Sequence, residues 1–268
     1  MLFKQNSCPS EQSGVRLFEC RQEAFGVQLN CYAFAAGDVL IDTGSHSLRR
    51  HFRPFIDEVN PELVMITHHH EDHTGNASYC NSKGIPVLMN PLFRMECTEK
   101  ANYPFYRRMF WGKRPAFQSG TLPEVIHSGR DVFKVISTPG HAADHVSFLN
   151  ESTGQLFSGD LYVSPKTKIV LREESIPAII RSIRDILTYD FDEMFCCHAG
   201  YVKNGKKAMK LKLEYLTKIK EKVTALHHEG LGVNEIQQTI FPNKYPIMSF
   251  SRGEWDSKHI VSSIIEEL

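Results

Sequence analysis

The chain has 268 residues, enough to bury a large core as one domain or as a domain with an appendage. Its 41% hydrophobic and 23% charged content is that of an ordinary globular protein, and 31 Lys and Arg balance 31 Asp and Glu. That balance excludes a global field drawing the protein to nucleic acid or an anionic membrane, and no apolar run approaches the roughly 20 residues needed to span a bilayer.

The stretch from Met1 to Ser7 has no apolar core of signal-peptide length, so secretion is not expected. The seven cysteines are odd in number and scattered, with no CxxC pair. They argue against a disulfide framework and for a reducing, cytoplasmic setting. From about residue 14 to 165, short apolar strands alternate with glycine-marked turns. Strands are expected at 15–20, 29–34, 39–42, 63–66, 87–89, 132–136, 146–149 and 156–160, the last two joined by a hairpin loop at 150–154.

Helices dominate after residue 174. Ser175 caps the first, Pro177 lies in its first turn, and Ile179, Ile180, Ile183, Ile186 and Leu187 recur at helical spacing. A strand at 193–197 ends at His198. A lysine-rich helix follows at about 205–226, its charges read as a solvated face. Helical stretches at about 232–240 and 251–268 complete the chain. The expected division is a catalytic domain over 1–203 and a helical extension over 204–268 packed on it. That extension is open to three uses: a pocket wall, a homodimer contact, or outer-layer packing.

The chemistry concentrates in His68-His69-His70-Glu71-Asp72-His73, reached through the apolar run Leu63-Val64-Met65-Ile66. At a strand's end, a two-residue separation points His68 and His70 to one side. Asp72 and His73 fall where the chain turns, with Gly75 helping. His69 and Glu71 lie on the alternate face and are not expected to be ligands. Ligand type, spacing and strand context together predict a metal site. Four further groups end apolar runs beside glycine: Asp42, His141, Asp160 and His198. With the histidine run they supply enough imidazoles and carboxylates for two divalent ions.

These elements, in this order, resemble the metallo-β-lactamase-fold hydrolase superfamily, its glyoxalase II-like branch in particular. The matching features are Asp42-Thr43-Gly44, Thr67-His68-x-His70-x-Asp72-His73, Thr138-Pro139-Gly140-His141, Ser158-Gly159-Asp160 and His198, from about residue 25 to 200. The resemblance implies an α/β four-layer αβ/βα sandwich with the metals at one edge of two sheets. It assigns His68, His70 and His141 to the first metal and Asp72, His73 and His198 to the second, with Asp160 bridging. Asp72 and Asp42 are the expected catalytic carboxylates, Asp42 by orienting the cluster. His145 is read as structural. His198 stands in Cys-His-Ala-Gly, where many relatives have glycine before the histidine.

Imidazole and carboxylate ligands suit zinc, with iron or manganese as alternatives. The expected activity is hydrolysis of a small-molecule thioester, lactone or ester by a hydroxide bridging the two ions. The alternative is oxidation of a persulfide with a single iron held by His68, His141 and Asp160. Phosphodiester or nucleic-acid cleavage and non-catalytic binding rank below these. Segment 91–120 mixes aromatics and cations and reads either as core packing or as a lid gripping an anionic or aromatic-tailed substrate. Arg107, Arg108, Trp111 and Tyr162 are the candidate substrate contacts.

Overall fold

The computed structural model describes residues 4–24 and 26–268. Met1 to Phe3, part of the stretch read as lacking a signal-peptide core, lie outside the described residues. The first sheet runs in chain order through β1 (Lys4–Gln12), β2 (Val15–Ala24), β3 (Val27–Ala36), β4 (Val39–Ile41), β5 (Leu63–Met65), β6 (Val87–Met89) and β7 (Gly120–Thr121). Its first four strands are antiparallel, and β4 to β7 are parallel. The second sheet takes β8 (Val125–Ser128), β9 (Asp131–Ser137), β10 (Val146–Asn150) and β11 (Gln155–Gly159). After the short β12 (Val170–Leu171) it adds β13 (Glu193–Cys196) and β14 (Gly200–Val202), in the spatial order 14-13-11-10-9-8.

Strand alternation builds the layers. On β4, Val39 and Ile41 face the space between the sheets, while Leu40 faces outward. On β13, Phe195 points between the sheets, and Met194 and Cys196 point outward. The inter-sheet layer is therefore aromatic: Phe34 meets Phe157 and Phe195 at centroid distances of 5.9 and 5.7 Å, and Phe157 stacks on Phe195 at 5.0 Å. Outside the first sheet, α1 (Arg49–Val59) buries Phe52, Phe55 and Ile56. Two short helices, α2 (Glu71–Thr74) and α3 (Ala77–Ser82), follow β5, and α4 (Arg94–Cys97) and α5 (Phe105–Trp111) follow β6.

The second sheet is covered by α6 (Ile176–Ile186), α7 (Gly205–His228), α8 (Val233–Ile240) and, beyond α9 (Pro246–Phe250), α10 (Lys258–Ile265). Their apolar residues form one cluster with Leu149, Leu156 and Met194 of the sheet. Between α9 and α10, β15 (Trp255–Asp256) pairs with β12, tying the last part of the chain to the loop after β11. The result is the expected four-layer sandwich with C-terminal helices.

Two local expectations need correction. The polar β1 is absent from the expected strands; it forms because Ser13 and Gly14, with φ of 51° and 79°, make a two-residue turn that folds it back onto β2. The terminal stretch 251–268 is not one helix but turn, β15 and α10. In segment 91–120, Cys97, Phe110, Trp111 and Phe117 join the core of the first outer layer. Among the described residues no helix is long and apolar enough to cross a membrane.

Candidate metal centre

Parallel pairing decides where the polar groups meet. Strands β4 and β5 run side by side and end at Asp42 and at Thr67-His68; β11 and β13 do the same and end at Asp160 and His198. The loop after β9 carries His141. A 2.8 Å hydrogen bond from Val146 N–H to Thr67 O joins the two sheets at this edge. Two glycines permit the crowding. A Cβ on Gly159, at φ 51°, would stand 2.5 Å from His145 Nε2, and one on Gly140, at φ 138°, would stand 2.6 Å from the Ile179 nitrogen.

The structure brings Asp42, His68, His70, Asp72, His73, His141, Asp160 and His198 into one cluster. Ligand atoms within 4.8 Å of one another are offered by His68, His70 and His141, by Asp72, His73 and His198, and by His68, His73 and Asp160. Each imidazole has at least one nitrogen occupied, and His141 and His198 have both. His73 Nδ1 is 2.8 Å from Asp42 Oδ2, His141 Nδ1 is 3.1 Å from Glu174 Oε2, and His198 Nδ1 donates to Asn30 O over 2.6 Å. His68 Nδ1 sits 3.1 Å from Thr67 Oγ1, and His70 Nδ1 lies 3.1 Å from His141 Nε2. Asp42, at φ 57°, also accepts the Thr67 N–H and hydroxyl at 2.8 Å each and the Cys197 thiol at 3.0 Å. It orients rather than faces the cavity.

Charge follows from that geometry. Burial, reinforced by neighbouring imidazoles, holds His68 well below the usual histidine range, and burial with Arg107 does the same to His70, so both are neutral. Burial opposes charge on His73, yet Asp42, Asp160 and Asp72 outweigh it and raise its pKa. His198 is likewise penalised by burial but pushed up to about 10 by Asp160 and Asp72. Burial would raise Asp160, but His198 and His73 keep it well below the carboxylate range.

Divalent ions fit this site. Three buried atoms on the inner side of the cluster have no hydrogen-bond partner: His68 Nε2, His73 Nε2 and Asp160 Oδ1. Buried polar atoms are rarely left so without a reason, and imidazole with carboxylate is a donor set for zinc, iron or manganese.

The remaining expected residues lie elsewhere. His69 donates its N–H to Asp144 and places Nδ1 2.8 Å from the same carboxylate. Glu71 receives Arg107 in a two-pronged pair at 2.6 and 2.7 Å, so Arg107 is engaged inside the protein instead of presenting a free cation to substrate. Trp111 and Tyr162 are both buried in apolar clusters. Arg108 alone of the four is exposed. Sequence reasoning missed Glu174, Asn30 and Thr67, which hold ligand candidates by their free nitrogens or backbone. For Glu174 a signal existed, an acidic pair just before the Ser175 cap; Asn30 offered none.

Residues 25–198 match the family described as the metallo-beta-lactamase superfamily. The chain is 24% identical over 164 residues to the beta-lactamase-like protein 2 homolog of Caenorhabditis elegans, covering 59% of this chain and 52% of that one. It is 27% identical over 168 residues to a hydroxyacylglutathione hydrolase of Pectobacterium carotovorum, covering 61% and 57%. The chain thus spans about half the length of these relatives. A crystal structure of a metallo-beta-lactamase family protein from Thermus thermophilus superposes with a TM-score of 0.64 at 16% identity, covering 99% of this chain and 93% of that one.

Proposed function

Because the chain belongs to the metallo-beta-lactamase superfamily, we propose that it is a metal-dependent hydrolase of a small thioester, lactone or ester, with two divalent ions, zinc by preference. The observation that carries this reading is the set of stranded buried atoms, His68 Nε2, His73 Nε2 and Asp160 Oδ1, on the inner side of a cluster whose His73, His141 and His198 rings are held from outside by Asp42, Glu174 and Asn30. A relative named for the hydrolysis of a hydroxyacylglutathione, a thioester, supports the substrate class.

When bound, the ions supply Lewis acidity and a nucleophile at neutral pH. His68, His70 and His141 would hold one and Asp72, His73 and His198 the other, and Asp160, grouped with His68 and His73, would be a further ligand. Asp72 and Asp160 offset cationic charge that neutral imidazoles leave uncompensated. Asp42, Glu174 and Asn30 fix the ring orientations of His73, His141 and His198, so that each presents its other nitrogen to the cavity. The free thiols of all seven cysteines are in keeping with a cytoplasmic setting.

Elemental analysis of the purified protein, followed by assay of the loaded protein on thioesters, lactones, esters, phosphodiesters and persulfide, tests this. Two ions per chain with turnover of a thioester, lactone or ester is expected. A single iron per chain with oxygen uptake on persulfide would overturn it.

A further inference from the structure

Arg107 lies at a junction that the reading above does not use. It stands on α5, largely buried, and grips Glu71 through Nε and Nη2 at 2.6 and 2.7 Å. Glu71 opens the four-residue helix that carries Asp72 and His73. The remaining nitrogen, Nη1, lies 3.4 Å from Glu254 Oε1 and 3.8 Å from Glu173 Oε1. Three separate segments therefore converge on one guanidinium: the metal-binding helix, the turn before α6, and the segment between α9 and β15.

Glu173 connects this junction to the metal centre. His70 directs Nδ1 inward, towards His141 Nε2, which leaves Nε2 buried and without a hydrogen bond. The nearest carboxylate oxygen to that nitrogen is Glu173 Oε1, 3.5 Å away. The next residue, Glu174, takes the outward nitrogen of His141 in the same manner. Two consecutive carboxylates thus face the outward nitrogens of two neighbouring histidines. Glu174 is buried and anchored by the Leu171 N–H, whereas the Glu173 side chain is half exposed and has Arg107 as its cationic neighbour.

We propose that Arg107 is a positioning residue of the metal centre, acting through Glu173 on His70 and through Glu71 on the Asp72–His73 helix. A carboxylate 3.5 Å from Nε2 favours the tautomer protonated there, whose Nδ1 lone pair faces the cavity, and makes that nitrogen a stronger donor. Arg107 holds this carboxylate near His70 and fixes the helix beside it. The C-terminal part of the chain takes part through Glu254, so the helical extension reaches the metal centre by one ion-pair chain. This inference rests on the metal-dependent reading.

The test is zinc affinity by competition with a chromophoric chelator, read beside the thermal midpoint of the metal-free protein. Wild type comes first; failure to bind zinc there overturns the metal reading itself. With wild type binding, Glu173→Ala should weaken zinc by roughly 10–100-fold with an unchanged midpoint, and Glu173→Gln, which keeps an acceptor, should recover part of the loss. A Glu71→Met/Arg107→Met pair replaces the ion pair by apolar groups of similar length, a change that is commonly neutral for stability. It should keep its midpoint and still bind zinc more weakly. Zinc affinity within twofold of wild type in Glu173→Ala overturns the proposal, whatever the double variant does. Cobalt-loaded wild type and Glu173→Ala should also differ in their visible absorption; identical spectra count against a role at His70.

Discussion

The backbone N–H of Asp160 donates to Nε2 of His145 over 2.9 Å. An imidazole that accepts at Nε2 must carry its proton at Nδ1, and that proton goes to Thr138 Oγ1 at 2.8 Å. Burial, with His141 nearby, pushes the His145 pKa down to about 4, in agreement with a neutral ring. His145 therefore belongs to the scaffold: it fixes the backbone from which the Asp160 carboxylate projects. His145→Ala should strand the Asp160 N–H and cost about 1–3 kcal/mol for that group alone. Urea unfolding of the metal-free protein measures this. A midpoint unchanged from wild type would show that another group takes the N–H.

Asp42 is the most heavily bonded side chain of the cluster, accepting from Thr67 twice, from Cys197 and from His73. Its left-handed backbone is one that Asn tolerates and Ala does not favour, so Asp42→Asn isolates the carboxylate. The amide keeps one acceptor but puts N–H groups against donors. Second-ion affinity should fall by roughly 10–100-fold, because His73 loses the partner that sets its ring. Chelator competition is the readout, and two sites of wild-type affinity in this variant would count against the orienting role.

The sequence reveals the cluster because each member ends an apolar run. Parallel pairing of β4 with β5 and of β11 with β13 then places Asp42 beside His68 and Asp160 beside His198. Alternation along the strands likewise foretells the sandwich. The partners that hold the rings are less legible. Asn30 reaches His198 across 168 positions, and nothing in its neighbourhood marks it. The packing of Arg107 and Trp111 is illegible for a related reason. A cation and an aromatic beside a metal motif look like substrate contacts until Glu71 and the core are seen to claim them. The strand β1 escaped because its residues are polar and mostly exposed; only the Ser13-Gly14 turn announces it.

The His198–Asp160 pair makes the metal-free protein sensitive to alkali. His198 is raised from 6.5 to about 10 in the fold, with Nε2 3.0 Å from Asp160 Oδ2. A base raised on folding contributes stability that is fully present below the unfolded pKa, here about 6.5, and is lost as pH climbs through the folded value. The contribution of His198 to the stability of the metal-free protein should therefore decline from about pH 6.5 to 10, with the net fall clearest below about pH 8, where Lys212 does not yet titrate in either state. Asp160→Asn should flatten that decline. Protons and metal also compete for His198, so second-ion affinity should increase over the same interval. Equal slopes for wild type and Asp160→Asn in a pH series of urea midpoints would refute the assignment.

Lys212 shows the opposite sign. It sits on α7, 4% exposed, and its ammonium donates to the carbonyl oxygen of Tyr162. The following residue, Val163, holds a φ of 51°, a strained value for a β-branched side chain. Lys212 thus pins the turn that leads away from Asp160 at its most strained point. Burial lowers its pKa to about 8 from 10.5. Below pH 8 both folded and unfolded chains are protonated, and the buried charge costs on the order of 3 kcal/mol. Between about pH 8 and 10.5 the unfolded chain binds more protons, so this cost is relieved as pH rises. Lys212→Met removes the charge and one of the two donors to the Tyr162 carbonyl, which keeps the Ser164 N–H, so that loss offsets only part of the gain at pH 7. The difference in unfolding free energy, wild type minus Lys212→Met, should increase with pH across this window. A difference independent of pH between 8 and 10.5 would mean that Lys212 titrates as a solvated amine. Loss of metal from the variant at neutral pH, with its fold intact, would trace the connection from α7 through Tyr162 to Asp160.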